Sequence, residues 1–366
     1  MNIIIDARMI NEHLHGIARY TYELIKYLAD DKSIELHILI NDIEKTKKIF
    51  NGIDGINYIY VKEKFLSLGE QLRLPLILNK FNKSNTLFHS PSFVSSPLIK
   101  LKTAMTIHDL NHLRFPQFYS KFHKYYYEFI VKPSANKAEI IFTDSEFSKK
   151  EILEWLQCDE RKVVVTYCGV DSGFSDEIGE EQLHYVRSKY NLPEDYILYV
   201  GNLKPHKNVS NLLKAMSVVK SKTTLLINGK PNEELGNIIE KCSLNDRVKF
   251  IGYIDDADLA PLYKMAKIFI FPSLYEGFGL PPLEAMASGC AVITSNKSSL
   301  PEVVGDAAIT VDPNDYNEIG KAIDLLIDDE NLRNELISKG YERSKIFTWE
   351  KTNDVIRDVY MRILKN

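Results

Sequence analysis

The chain is 366 residues long, and at roughly 150 residues per domain that length predicts two domains. Hydrophobic residues make up 45% and charged residues 26%, which excludes a disordered, collagen-like or disulfide-scaffold protein. With 46 Lys and Arg against 50 Asp and Glu the net charge is −4, so wholesale electrostatic binding to nucleic acid is not expected.

Short apolar runs alternate with helical periods along the whole chain. The first half carries such runs at 2–6, 34–41, 56–61, 86–88, 103–107, 139–143 and 162–166. Between the first two, Ile17, Thr21, Leu24, Ile25 and Leu28 recur at the spacing of a helix packed on a sheet. Alternation of this kind predicts parallel strands joined by right-handed crossovers, an α/β Rossmann-like domain. Around Asp171–Tyr190 the pattern lapses into the polar, acidic stretch DSGFSDEIGEE, which reads as a linker. The same pattern restarts with runs at 196–200, 223–227, 247–251, 268–271, 291–293 and 308–311, followed by helical patterns at 315–328, 330–345 and 349–364. The expected division is therefore a first domain 1–175, a linker 176–192 and a second Rossmann-like domain 193–348, with the last helix, 349–366, packing back on the first domain.

Asp6 and Arg8 interrupt the first apolar run, so it is not a signal-peptide core, and nowhere do about 18 apolar residues run together. Cys158, Cys168, Cys242 and Cys290 form no C-x-x-C pair and read as reduced thiols. The expectation is a soluble, cytoplasmic chain. Segment 97–137 stands apart: Lys100, Lys102, Arg114, Lys121, Lys124, Lys132 and Lys137 face only Asp109 and Glu128. It also holds Phe115, Phe118, Tyr119, Phe122, Tyr125, Tyr126, Tyr127 and Phe129. One reading is an amphipathic helix from about Gln117 to Lys137 with its aromatics in the core. The other is peripheral contact with the anionic inner face of the cell membrane.

Two doubly wound domains in series are expected to bind ligands in a cleft between the carboxyl ends of their sheets, so the loops after strands are where chemistry is sought. The loop Gly201–Asn208 follows a strand and carries Lys204 and Lys207 ahead of a helix, with Asn208 suited to the N-cap. It reads either as a solvated basic turn or as an anion site at a helix N-terminus. No G-x-G-x-x-G is present, which disfavours a dinucleotide cofactor. The second loop, PSLYEGFGLPPLEAMASG from Pro272, sets Glu276 and Glu284 at either end of a glycine-bearing segment. Dipole compensation would account for Glu284, expected in the first helical turn, but not for Glu276, Gly277 and Gly279. In the first half, His108 ends a strand with Asp109 beside it, a site for acid–base or electrostatic work. Gly16 and Arg19 open the first helix.

These residues carry a resemblance. HGIARY, TIHDL, TDSEFSKKEIL, YILYVGNLKPHKN, RVKFIGY, FPSLYEGFGLPPLEAMASG and SLPEVVGDAA fall in the order of the GT-B glycosyltransferases of family 4, group 1, and the chain resembles their mannosyltransferase-like branch. The resemblance implies two Rossmann-like domains facing a central cleft. It implies that Glu276 meets the donor sugar hydroxyls, with the backbone of Gly277, Phe278, Gly279 and Leu280 near the sugar and diphosphate, and that Glu284 binds the ribose. Lys207 would neutralise the diphosphate in place of a divalent metal, with Asn202, Lys204 and Tyr253 also on the donor side. His108 would lie against the donor sugar, and Gly16 would let the first helix approach the diphosphate. Arg19, Asp109 and Ser145 would fall on the acceptor side. Ala18, Asn202 and His206 depart from the family pattern, which puts more weight on Lys207.

The implied activity is retaining hexosyl transfer, best matched by mannose from GDP-mannose. The acceptor would be a saccharide or lipid-linked saccharide in surface polysaccharide synthesis. No cofactor or metal is expected. A covalent route needs a carboxylate nucleophile, for which the first domain offers only Asp109. Same-face displacement, with the departing phosphate taking the acceptor proton, is the family route. A nucleotide-sugar epimerase of the same fold, a non-catalytic nucleotide-sugar-binding protein and a pyridoxal-phosphate sugar phosphorylase are the rival readings, the last disfavoured because no Lys site for the cofactor stands out and the chain is short for one.

Overall fold

The computed structural model describes residues 1–11, 14, 16–67, 69–118 and 121–365, with Lys121 and Phe122 described by backbone alone. His15, Tyr119 and the side chain of Phe122, named above, lie outside the described residues. The chain divides into two compact units, one built from Met1–Gly169 and the C-terminal helix, the other from Val170–Thr348.

In the first unit the strands are β1 (Asn2–Asp6), β2 (Glu35–Ile40), β3 (Ile56–Tyr60), β4 (Thr86–Ser90), β5 (Lys102–Thr106), β6 (Ile140–Thr143) and β7 (Val163–Val165). The helices are α1 (Ile17–Ala29), α2 (Ile43–Ile49), α3 (Glu70–Leu78), α4 (Asn111–Arg114), α5 (Lys121–Tyr126), α6 (Lys132–Lys137) and α7 (Glu146–Leu156). The sheet order is β3-β2-β1-β4-β5-β6-β7, and its paired neighbours are parallel. Ile3, Ile4 and Ile5 are all fully buried, because helices cover both faces of a central parallel strand and an unbroken apolar run is what such a strand requires.

The second unit holds α8 (Glu180–Lys189), β8 (Tyr196–Tyr199), α9 (Val209–Val218), β9 (Thr224–Ile227), α10 (Glu233–Lys241), β10 (Val248–Phe250), α11 (Asp256–Met265) and β11 (Ile268–Phe271). After these come α12 (Leu280–Ala287), β12 (Ala291–Ser295), α13 (Leu300–Val304), β13 (Ile309–Val311), α14 (Tyr316–Asp328) and α15 (Glu330–Ser344). Its sheet runs β10-β9-β8-β11-β12-β13, again parallel. In both sheets the order reverses beside the first strand, between β1 and β4 and between β8 and β11. Doubly wound sheets bind ligands outside the carboxyl ends of the strands at such a switch point.

Two expectations are corrected. The stretch 176–192 is not a free linker. It contains α8, whose Val186 is fully buried in the core of the second unit along with Tyr190 and Leu192; its polarity is that of a surface helix with one apolar contact, not of a solvated tether. The expected helix 117–137 begins, among the described residues, at Lys121 and is widened by a π-helical turn over Tyr127–Val131. The turn splits the aromatics. Tyr126 and Tyr127 are buried, whereas Tyr125 and Phe129 are 61% and 67% exposed with their rings stacked.

The last helix, α16 (Trp349–Lys365), belongs to the first unit. Arg357 meets Asp31 at 2.5 Å, Asn353 donates to the Glu23 carbonyl, Lys102 donates to the Ile363 carbonyl, and Tyr360 is hydrogen-bonded to His89. Past the end of β1 a second interior contact forms. Arg8 lies between Asp6 at 2.7 Å and Glu70 at 3.0 Å, all three side chains out of solvent.

Candidate active site

At the switch point of the second unit, the loops after β8 and β11 each contribute one charged side chain. The β8 loop passes through Gly201 and a short 3₁₀ turn, Pro205–Lys207, before α9. Gly201 is explained from within the protein: a Cβ there would come within 2.9 Å of the Tyr199 hydroxyl, which donates to the Asn202 carbonyl. Asn208 does not cap α9 with its side chain. Its backbone is left-handed at φ 63°, so its amide turns away from the helix and donates to the carbonyls of Pro272 and Pro313. That bond ties the β8 loop to the β11 loop. The backbone bond from Leu274 N–H to the His206 carbonyl, 2.8 Å, ties them again. Burial, helped by the charges of Lys207 and Lys204, pushes His206 down to about 4, so its ring is neutral.

Lys207, held by these ties, donates to both carboxylate oxygens of Glu276, at 2.6 and 2.8 Å, and its ammonium lies 5.3 Å from the centre of the Phe271 ring. Both side chains are largely buried, 12% and 13% exposed. Gly279 follows at φ 121°, where a Cβ would meet Leu300 at 2.7 Å. Glycine is required there both by the backbone and by space. The helix then starts at Leu280 with Pro281 and Pro282 in its first turn, where proline is well suited. Glu284 is therefore its fifth residue, one turn further in than expected, and accepts a hydrogen bond from Tyr263 at 3.1 Å. Tyr253 follows the β10 strand and is 55% exposed, beside Gly252, whose carbonyl accepts from Gly229. Asn202 and Lys204 are exposed on the β8 loop, where Asn202 accepts the Lys204 N–H. A largely buried cation, a carboxylate and a glycine-shaped loop at a switch point suit an anionic ligand that also carries hydroxyls.

In the first unit His108 does not use its neighbour Asp109 as hydrogen-bond partner. The carboxylate of Asp109 accepts the N–H of Asn111, while His108 pairs through Nδ1 with Asp144 at 2.7 Å and through Nε2 with the Pro91 carbonyl at 3.2 Å. Burial on its own would lower the pKa of His108; the charge and hydrogen bond of Asp144 and the bond to Pro91 outweigh it and raise the value. With acceptors at both nitrogens, the ring is satisfied as the imidazolium. Asp144 directly follows β6, the strand next to β5. It lies in TDSEF beside Ser145, and strand adjacency was the signal that would have found it. Ser145 itself is fully buried and its hydroxyl caps α7 by accepting the Ser148 N–H.

Behind His108, Tyr20 meets its ring edge-on at 5.0 Å and its hydroxyl pairs with Thr106, which in turn bonds His89 at 2.8 Å. Burial, with the His108 charge adding to it, depresses His89 to about 3. Gly16 precedes α1 at φ 53°, a conformation that favours glycine, and among the described residues nothing lies within 4 Å of an added Cβ. Arg19 donates to the Leu14 carbonyl.

Comparison with known proteins gives this arrangement a family. Residues 185–343 match the glycosyl transferases group 1 and residues 14–174 match glycosyltransferase family 4. The chain is 32% identical to O-antigen chain mannosyltransferase B of Escherichia coli over 96% of its own length and 97% of that protein. It is 31% identical to O-antigen chain mannosyltransferase RfbU of Salmonella typhimurium over 62% of this chain and 61% of the other. Among solved structures, Anabaena HepE in complex with UDP and glucose superposes with a TM-score of 0.80 at 17% identity, covering 99% of this chain and 100% of that one. A glycosyltransferase from Rickettsia africae superposes with a TM-score of 0.78 at 21% identity, covering 100% and 99%. The fold is that of the GT-B glycosyltransferases, and with a relative so similar over nearly its whole length the chain belongs to the group 1, family 4 glycosyltransferases and is a hexosyltransferase.

Proposed function

We propose that the chain transfers mannose from GDP-mannose to a saccharide or lipid-linked saccharide in the synthesis of a cell-surface polysaccharide such as an O antigen, with retention of configuration and without a divalent metal. The observation that carries the reading is the Lys207–Glu276 pair between the β8 loop and the glycine loop, in a chain 32% identical to a mannosyltransferase over nearly its whole length. In this reading the donor phosphates take Lys207 as their counter-charge, and Glu276, released from the lysine, accepts the sugar hydroxyls. Glu284 accepts from the ribose. The bond from the sugar C1 to the phosphate oxygen breaks and one from C1 to the acceptor oxygen forms on the same face. The acceptor proton goes to the departing phosphate. The protein then acts through positioning and electrostatics and not through a strong base.

The test is a panel of GDP-mannose, GDP-fucose, UDP-glucose and UDP-N-acetylglucosamine, incubated in EDTA with wild type and Glu276→Gln and read as nucleoside diphosphate release. GDP release from GDP-mannose by the wild type alone is the expected result; equal release by Glu276→Gln contradicts it. Conversion of a donor without nucleoside diphosphate release would mark an epimerase. NMR of the product bond reads the configuration.

The acceptor side of the reading includes contact with an anionic membrane. Stacked Tyr125 and Phe129 stand in solvent on a segment where basic residues outnumber acidic ones, and an exposed aromatic pair among lysines suits a lipid surface. Sedimentation with anionic vesicles at low salt, lost in the Tyr125→Ser, Phe129→Ser double variant, is expected. No sedimentation of the wild type removes the membrane from the account.

A further inference from the structure

Ser298 and Ser299, at the turn between β12 and α13, have no part in the chemistry described so far, yet both hold the residue on which it depends. Ser298 is a non-glycine residue at φ 54°, a conformation that costs an L side chain free energy and persists where the surroundings impose it. Its hydroxyl donates to the Lys297 carbonyl at 2.8 Å and accepts the Glu276 N–H at 3.0 Å. A hydroxyl carries one hydrogen and two lone pairs; with the hydrogen directed to Lys297, a lone pair faces Glu276. Ser299, fully buried, faces the carbonyls of Phe278 at 2.7 Å and Glu276 at 3.0 Å, which share its one hydrogen. The backbone of Glu276 thus meets one serine at its N–H and the next at its C=O.

The consequence follows from the peptide plane. Peptide groups are planar and trans, so the carbonyl of Glu276 and the N–H of Gly277 point in opposite directions, as do the carbonyl of Phe278 and the N–H of Gly279. Because both carbonyls face the Ser299 hydroxyl, both N–H groups lie toward the far side of the loop. Leu300, the next residue, packs where a Cβ on Gly279 would stand, so the same turn also sets the shape of the glycine.

We propose that Ser298 and Ser299 are positioning residues for the donor: together they aim the Glu276 carboxylate and the N–H groups of Gly277 and Gly279 at a nucleotide sugar. This rests on the donor reading of the glycine loop.

The test uses full-length wild type, Ser299→Ala, Ser298→Gly and Glu276→Gln. Glycine suits φ 54°, so Ser298→Gly removes the hydroxyl without asking the backbone to move, and it decides the matter if Ser299→Ala does not fold. In the ligand-free protein, hydrogen exchange of the Glu276 amide is expected to rise by about tenfold in Ser298→Gly while the amides of β8 are unchanged. With the sugar nucleotide that the wild type turns over in the panel, the donor KM is expected to rise roughly fivefold or more in both serine variants, with the acceptor KM unchanged. Loss of folded protein lowers the amount of active enzyme and leaves KM where it was, so a purely structural role cannot give that split. Donor KM values within about twofold of wild type, alongside a Glu276→Gln that has lost turnover, overturn this inference alone. A Glu276→Gln that works like wild type overturns the donor reading and this inference with it.

Discussion

Both sheets place charged residues beyond their carboxyl ends, and the two edges treat them differently. In the first unit the charges satisfy one another inside the protein. Arg8 is enclosed by Asp6 and Glu70 with no side-chain exposure to speak of, and His108 is held by Asp144 and the Pro91 carbonyl. In the second unit Lys207 and Glu276 form one ion pair, 12% and 13% exposed, on loops that are also tied down by backbone and amide bonds. A buried, closed ion cluster is costly to open and contributes shape. A single pair whose loops are held by other bonds can exchange the lysine's partner for a ligand anion without opening those loops. The second edge is the one built to receive an anion.

The difference is broken most severely at Lys207. Lys207→Ala is expected to lose roughly 2–4 kcal/mol of transition-state stabilisation, the scale of a preorganised electrostatic donor, read as kcat/KM for donor turnover; activity within about threefold of wild type would remove Lys207 from the site. Next comes Gly279→Ala. A positive φ and the contact with Leu300 together predict a loss of about 1–3 kcal/mol in stability, seen as a lower denaturant midpoint with an unchanged slope. The smallest effect sharpens the first edge. The raised pKa of His108 means that the His108–Asp144 pair contributes fully below the ordinary histidine value of 6.5 and loses its contribution as pH rises through the folded-state value. The melting-temperature gap between wild type and Asp144→Asn should therefore narrow from about pH 6 to about pH 9, and Asp109→Asn should show a smaller pH-dependent gap. Equal behaviour of the two variants would contradict the assignment of Asp144 as the partner.

The same contrast decides how much could be read in advance. The second edge is nearly contiguous in sequence. Glu276, Gly277, Gly279 and the prolines that start α12 lie within one short stretch, each with a local physical reason, and the strand-to-helix rhythm located the strands of both sheets. The first edge is assembled from remote positions. His108 finds its partner 36 residues on, and Tyr360 reaches His89 from 271 residues away. Reading along the chain paired His108 with adjacent Asp109, and consecutive residues in extended backbone point apart. Asp6 and Arg8 served only to break an apolar run in the sequence, because nothing local to them announces Glu70. The acidic stretch 176–192 looked like a tether because α8 buries little more than Val186. Ser298 was invisible for a further reason: its part depends on a left-handed φ, and serine gives no sign of one.

The central claim, that the edge of the second unit binds the donor anion, is tested most directly by equilibrium binding of GDP to the full-length protein without metal, comparing wild type, Lys207→Ala and Asp144→Asn by calorimetry. Loss of one charge-assisted contact predicts weakening by roughly 10–100-fold in Lys207→Ala and wild-type affinity in Asp144→Asn. Unchanged binding in Lys207→Ala, or loss confined to Asp144→Asn, would place the anion on the other edge and contradict the account.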